Sequence, residues 1–128
     1  MFVLLFCSGS GKYRITAKVH VLDSGLTLTL YGGEKAHIGS VAVAIPRPSL
    51  QNPSIMSATS SVINLVGHKD EEVARPVAEK LAKKFGQVVV VVAGIHVENA
   101  TAEDIDLLKE NVEDVTLAMI TKLETILN

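Results

Sequence analysis

Residues 86–94 read GQVVVVVAG. Five consecutive valines, Val88 to Val92, run into Ala93 between two glycines. β-Branched side chains are stiff in a helix and pack well on a pleated surface. A short apolar run without alternation describes a strand covered on both faces, the most interior strand of a sheet. The flanking segments are helical in period. Upstream, Val73, Val77, Leu81 and Phe85 recur every four residues, with Ala74, Ala78 and Ala82 beside them. That stripe suits a helix lying on a sheet, with Glu79, Lys80, Lys83 and Lys84 on the wet side. Asp70 is placed to cap it, Glu71 and Glu72 suit its first turn, and Gly86 closes it. Pro76 predicts a bend, or a regular helix that begins near it. Downstream, Thr101 caps a second helix, with Asp104 three residues on as a shortened capping box. Ile105, Leu108 and Val112 mark its apolar face. A last helix is expected from about Glu113, striped by Leu117, Ile120, Leu123, Ile126 and Leu127; Leu123 and Ile126 are candidates for a dimer contact.

The first half reads as strands. Met1 to Cys7 is almost wholly apolar. It is far short of the ~20 residues that span a bilayer and lacks the basic start of a signal peptide. Ser8 to Lys12 (SGSGK) is a turn. A phosphate loop would need a glycine at Phe6 and Ser or Thr at Tyr13. Residues 13–22 alternate, with Tyr13, Ile15, Ala17, Val19 and Val21 on one face. His20 falls on the polar face. Asp23-Ser24-Gly25 turns a hairpin, and Leu26 to Tyr31 returns as its partner. Residues 32–49, GGEKAHIGSVAVAIPRPS, then frame a strand from Ile38 to Ile45 between two polar ends. Val41, Val43 and Ile45 are expected to face the core, and Ala42 and Ala44 a closely approaching neighbour. Pro46 and Pro48 are expected to end the ladder and hold Arg47 extended. A polar connection, residues 50–58, leads to a strand from Thr59 to Val66.

These elements predict an α+β fold: one domain over residues 1–128, a mostly antiparallel sheet of about six strands, and two to three helices packed on it. The 128 residues are 48% apolar, enough for a sizeable core, but only 4% aromatic. That argues against a base-stacking surface, which is built from Phe, Tyr or Trp. The net charge of −2, without a run of either sign, gives no footprint for nucleic acid. A single cysteine, Cys7, excludes an internal disulfide and a cysteine-cluster metal site, and fits a reducing cytoplasm.

Polar residues gather at strand ends. His37 precedes a strand, and His68 and His96 each follow one beside a glycine. With Arg47, Lys69 and nearby hydroxyls they could line a pocket for a phosphate or a flavin, Arg47 offering a fork and Lys69 a point charge. Three histidines could also hold zinc, but no local ligand spacing supports a metal. Simple capping of strand and helix ends by these histidines is the competing reading. A serine hydrolase elbow is absent around Ser40, and no catalytic residue is assigned.

Four segments in order, GGEKAHIGSVAVAIPRPS (32–49), SATSSV (57–62), GHKDEEVA (67–74) and AGIHVENATAEDI (93–105), resemble the small prenylated-flavin chaperone-like family. The resemblance covers roughly residues 9–115, and the apolar start departs from it. The family is also distantly similar to the proteasome-assembly chaperones, small non-enzymatic α+β dimers. The resemblance implies a non-enzymatic accessory protein, a homodimer that helps a prenylated-flavin-dependent decarboxylase mature or passes it prenylated FMN or FMN. It carries over no catalytic residue, and from charge and hydropathy no membrane or nucleic-acid partner is expected. On the matching motifs, the residue reading selects His37, Arg47, Ser49, His68, Lys69, His96 and Asn99 as cofactor-binding candidates. The alternatives are a small metal-assisted or flavin-binding enzyme, and an assembly chaperone acting only through protein surfaces.

Overall fold

The computed structural model describes residues 1–65 and 69–127. Six strands, β1 (Phe2–Ser8), β2 (Ile15–Leu22), β3 (Gly25–Gly33), β4 (Ser40–Pro48), β5 (Met56–Asn64) and β6 (Val88–His96), form one sheet. Helix α1 (Glu71–Phe85) lies between β5 and β6, and α2 (Ala102–Leu127) follows β6. The strand order is β1-β2-β3-β6-β4-β5. Only the β3–β6 pairing is parallel; the other four are antiparallel. This is the expected α+β fold, with the valine strand in the interior of the sheet.

Both helices contribute to one apolar core. Helix α1 packs on β4, β5 and β6, and α2 on β1 and β2. The alternation of β2 buries Ile15, Ala17, Val19 and Val21, and β3 adds Leu26, Leu28 and Leu30. Helix α1 buries Ala74, Val77, Ala78, Leu81 and Ala82. Gly86 closes it in the left-handed region at φ 62°, its N–H donating to the Ala82 carbonyl.

Several expectations are corrected. On β4 the facing is inverted: Ala42 and Ala44 are fully buried, whereas Val41 and Val43 are partly exposed and Ile45 is 53% exposed. The alanine stripe of α1 lies on β4, so small residues are needed on both sides of that contact. The valine strand is covered on one face only: Val89, Val91 and Ala93 are buried, and Val90 and Val92 are partly exposed. Pro46 and Pro48 do not end β4. Its register with β5 continues to Pro48–Met56, while that with β6 stops at Ala44–Val89. The prolines thus occupy the part of β4 that has a single neighbour, where a missing N–H is tolerated. Strand β5 begins at Met56, three residues before the expected Thr59.

The last two expected helices are one. No glycine or proline interrupts residues 102–127, so nothing stops propagation at Glu113. Its start is the expected box: the Asp104 N–H donates to Thr101 Oγ1 and the Thr101 N–H to Asp104 Oδ2, each at 3.0 Å. Leu123 is fully buried in the core and is unavailable for a dimer contact. Among the described residues no helix is long and apolar enough to cross a membrane.

Candidate functional site

The C-terminal end of β6, the loop before β4 and the start of α1 meet at one end of the sheet. Their meeting point is Asp70, which is 8% exposed. It occupies the N-cap position of α1, but its backbone is helical (φ −71°, ψ −21°) and its carboxylate makes no capping bond. Its backbone carbonyl accepts from Val73 and Ala74 instead. The free carboxylate turns to the sheet. Oδ1 accepts the Ile95 N–H at 3.0 Å, and Oδ2 lies 3.3 Å from His37 Nε2.

The His37 ring meets the His96 ring edge to face, at 6.0 Å between centroids and 86°. His37 Nδ1 is enclosed and has no hydrogen-bond partner among the described residues. His96 Nε2 lies 3.0 Å from Glu98 Oε2 on the exposed side. Glu34 ties the loop down: its N–H donates to the His96 carbonyl at 2.7 Å, and its carboxylate accepts the Glu98 N–H at 2.8 Å. Two glycines make this proximity possible. A Cβ on Gly39 would collide with the Asp70 carboxylate, and one on Gly94 with the His37 carbonyl.

Beside this cluster a cleft of about 660 Å³ opens between the start of α1 and the first turns of α2. Val73, Ile105, Leu108 and Val112 give it apolar walls; Lys69, Glu72, His96, Asn99 and Lys109 give it polar ones. Asn99 has positive φ (51°), a conformation open to asparagine at low cost. A volume of that size falls within the range of small-molecule clefts.

Of the residues selected from sequence, Lys69, His96 and Asn99 line this cleft, and His37 stands behind it through Asp70 and His96. His68 lies outside the described residues, and the three-histidine metal reading depends on it. Among the described residues no group of three His, Cys, Asp or Glu side chains is placed to hold a metal ion. Arg47 and Ser49 are at the other end of β4. Arg47 donates to Thr59 Oγ1 at 2.7 Å and to the Pro48 carbonyl at 3.1 Å. Ser49 Oγ accepts from the Gln51 and Asn52 N–H groups, which makes it a turn residue. Ten residues of extended chain between His37 and Arg47 correspond to roughly 30 Å.

Sequence reasoning missed Asp70 as the organiser and Glu34 as the tether. The glycines Gly39 and Gly94 were the available signal, since each sits where chains approach closely. A second polar network lies along α1. The buried Ser40 donates to Asn64 at 2.9 Å, Asn64 to Glu71 at 2.6 Å, and Arg75 bridges Glu71 and Ser60. Shifted titrations lie elsewhere. Tyr13 donates to Asp104 Oδ1 at 2.6 Å. That bond, with the Thr101 N–H and the nearby Lys12, holds the Asp104 carboxyl below its usual range; the same bond, with burial and the Asp104 charge, pushes the Tyr13 phenol up against the opposing effect of Lys12. Hydrogen bonds from Arg14 and Thr16 lower the Cys7 thiol.

The model of the prenylated flavin chaperone LpdD-like domain matches residues 9–124. The chain belongs to that family. The match to the LpdD-like domain starts just after β1, so the apolar first strand precedes it, and it ends within α2. The LpdD-like fold is also similar to a chain in a crystal structure of a chaperone complex for yeast 20S proteasome assembly. The TM-score is 0.58 and the identity 15%, over 100% of both chains. No curated protein matches the chain.

Proposed function

We propose that this protein is a non-enzymatic chaperone of the cytoplasm, a homodimer that helps a prenylated-flavin-dependent decarboxylase mature or passes it its cofactor. Membership of the LpdD-like family sets the class. The observation that carries the reading further is the cleft between α1 and α2. Its apolar walls from Val73, Leu108 and Val112 suit a flat ring system, and Lys69 and Lys109 can meet a phosphate as point charges. His96 and Asn99 supply further polar contacts. His37, through Asp70, fixes the wall on which His96 sits. The ligand is then prenylated FMN or FMN, held transiently, and the cleft binds and shields it without changing it.

Anaerobic titration with FMN, read by flavin fluorescence, tests this. Saturable binding is expected, weakened roughly tenfold or more in Lys69→Glu and Lys109→Glu, the scale of one lost charge-assisted hydrogen bond. Absence of FMN binding together with failure to capture the apo-decarboxylase overturns the proposal. Capture of the apo-enzyme without flavin binding favours a chaperone that works only through protein surfaces.

A further inference from the structure

The cleft does not end at the first turn of α1. A second compartment of about 290 Å³ continues it between the two helices. Glu72, Val73, Lys109 and Val112 line both spaces, so the two form one groove. Pro76, Val77 and Thr116 wall the continuation. Its neutral polar groups are acceptors. Pro76 lies inside α1 and has no N–H, so the Glu72 carbonyl, four residues back, lacks the donor that a helix supplies. Glu72 and Pro76 line the same compartment. Thr116 Oγ1 donates its one hydrogen to the Val112 carbonyl at 2.7 Å, which leaves it only lone pairs. A carbonyl without its donor is costly unless a ligand or water supplies one. Lys80 and Lys109 bring ammonium donors to the same walls.

We propose that this compartment takes the pyrimidine edge of the flavin ring, a cyclic imide in which one N–H sits between two carbonyl groups. The inference rests on the flavin reading of the cleft and fixes which way round the ligand lies. The imide N–H donates to the Glu72 carbonyl, and the imide oxygens accept from Lys80 and Lys109. An acceptor flanked by donors is the complement of an imide. The methylated benzene edge of the same ring has no N–H and cannot satisfy that carbonyl. Charge gives the same direction. Glu72 and Glu113 balance Lys80 and Lys109 in this compartment. It therefore suits a neutral ring end and leaves the phosphate to the Lys69 end of the groove. From Asp70 to Pro76 a helix advances about 9 Å, so phosphate and imide are held apart along the groove, as the sugar chain between them requires. Pro76 is then a specificity-determining residue: it removes one helical hydrogen bond and so frees an acceptor for the ligand.

Anaerobic fluorescence titration of the full chain tests it, with FMN and with FMN methylated at the imide nitrogen, which lacks the N–H. Wild type and Pro76→Ala are compared, with circular dichroism as a check of folding. Alanine restores an N–H at residue 76 and occupies the Glu72 carbonyl. The expected result is about tenfold tighter binding of FMN than of the methylated ligand by the wild type, the scale of one buried hydrogen bond. In Pro76→Ala that preference is expected to disappear, with FMN weakened to the level of the methylated ligand. Equal binding of the two ligands by the wild type overturns the assignment of the imide edge and leaves flavin binding standing. A preference retained in Pro76→Ala overturns the Glu72 carbonyl as the acceptor. The wild-type comparison decides alone should Pro76→Ala not fold. No binding of either ligand overturns the flavin reading, and this assignment with it.

Discussion

Asp70 shows how much one side chain can be given to do. At a helix start its carboxylate would ordinarily accept from the second or third helical N–H. Here it holds the backbone of β6 and faces His37, and the helix is left to the Asp70 carbonyl. The price in space falls on two glycines. Gly94→Ala and Gly39→Ala should each destabilise the fold by about 1–3 kcal/mol, the cost of overpacking, in urea titrations. A further outcome for Gly94→Ala is an altered His37 ring signal in the NMR spectrum. Asp104 gives a pH prediction. Its carboxyl is held below the usual range by Tyr13, so its folded pKa is depressed relative to the unfolded ~3.9. Such a group contributes stability above the unfolded value, and that contribution is lost as pH falls through the folded one. Melting temperatures of Asp104→Asn should therefore be lower than wild type at neutral pH, with the gap narrowing below about pH 4. A gap that stays constant over that range counts against the assignment.

At the scale of elements, α1 carries a fault that the sheet tolerates. Pro76 lies inside the helix, where it removes one hydrogen bond and crowds the preceding turn, at about 3 kcal/mol in an isolated interior position. Pro76→Ala should raise stability by about 1–3 kcal/mol in chemical denaturation. Helix α2 makes the opposite point. Leu123 is fully buried against the sheet, so Leu123→Ala should cost about 2–5 kcal/mol of stability and leave a folded population dimeric. These elements were legible because each repeats a physical signal: period two in β2, period four in α1, an uninterrupted valine run in β6. The β4 facing was not legible. Alternating Val and Ala has the same period whichever face is buried, and only the alanine stripe of α1 settles that the small side goes inward. The site was partly legible: His37, Lys69, His96 and Asn99 come together because strand and helix ends meet there. Arg47 and Ser49 share the same sequence stretch as His37 but are carried to the far end of β4 by its extended rise.

For the molecule as a whole, the helices pack on one side of the sheet and the chain leaves the other side of β6 open. If the protein is the proposed homodimer, stability depends on concentration, because association favours the folded state by mass action. The melting temperature of the wild type should rise by several degrees across a hundredfold increase in protein concentration. A wild-type melting temperature that ignores concentration contradicts the homodimer.

The sequence by itself determined the secondary elements, the α+β class, the interior position of the valine strand and the family, since each rests on local composition and on the order of motifs. Tertiary structure alone decided which face of β4 is core, that Asp70 serves the sheet rather than its helix, and that one face of the valine strand stays open. Those outcomes depend on what lies across a contact. The physical reason is that a side chain's own period fixes only that it alternates, whereas its burial is set by the shape and charge of the neighbour it meets.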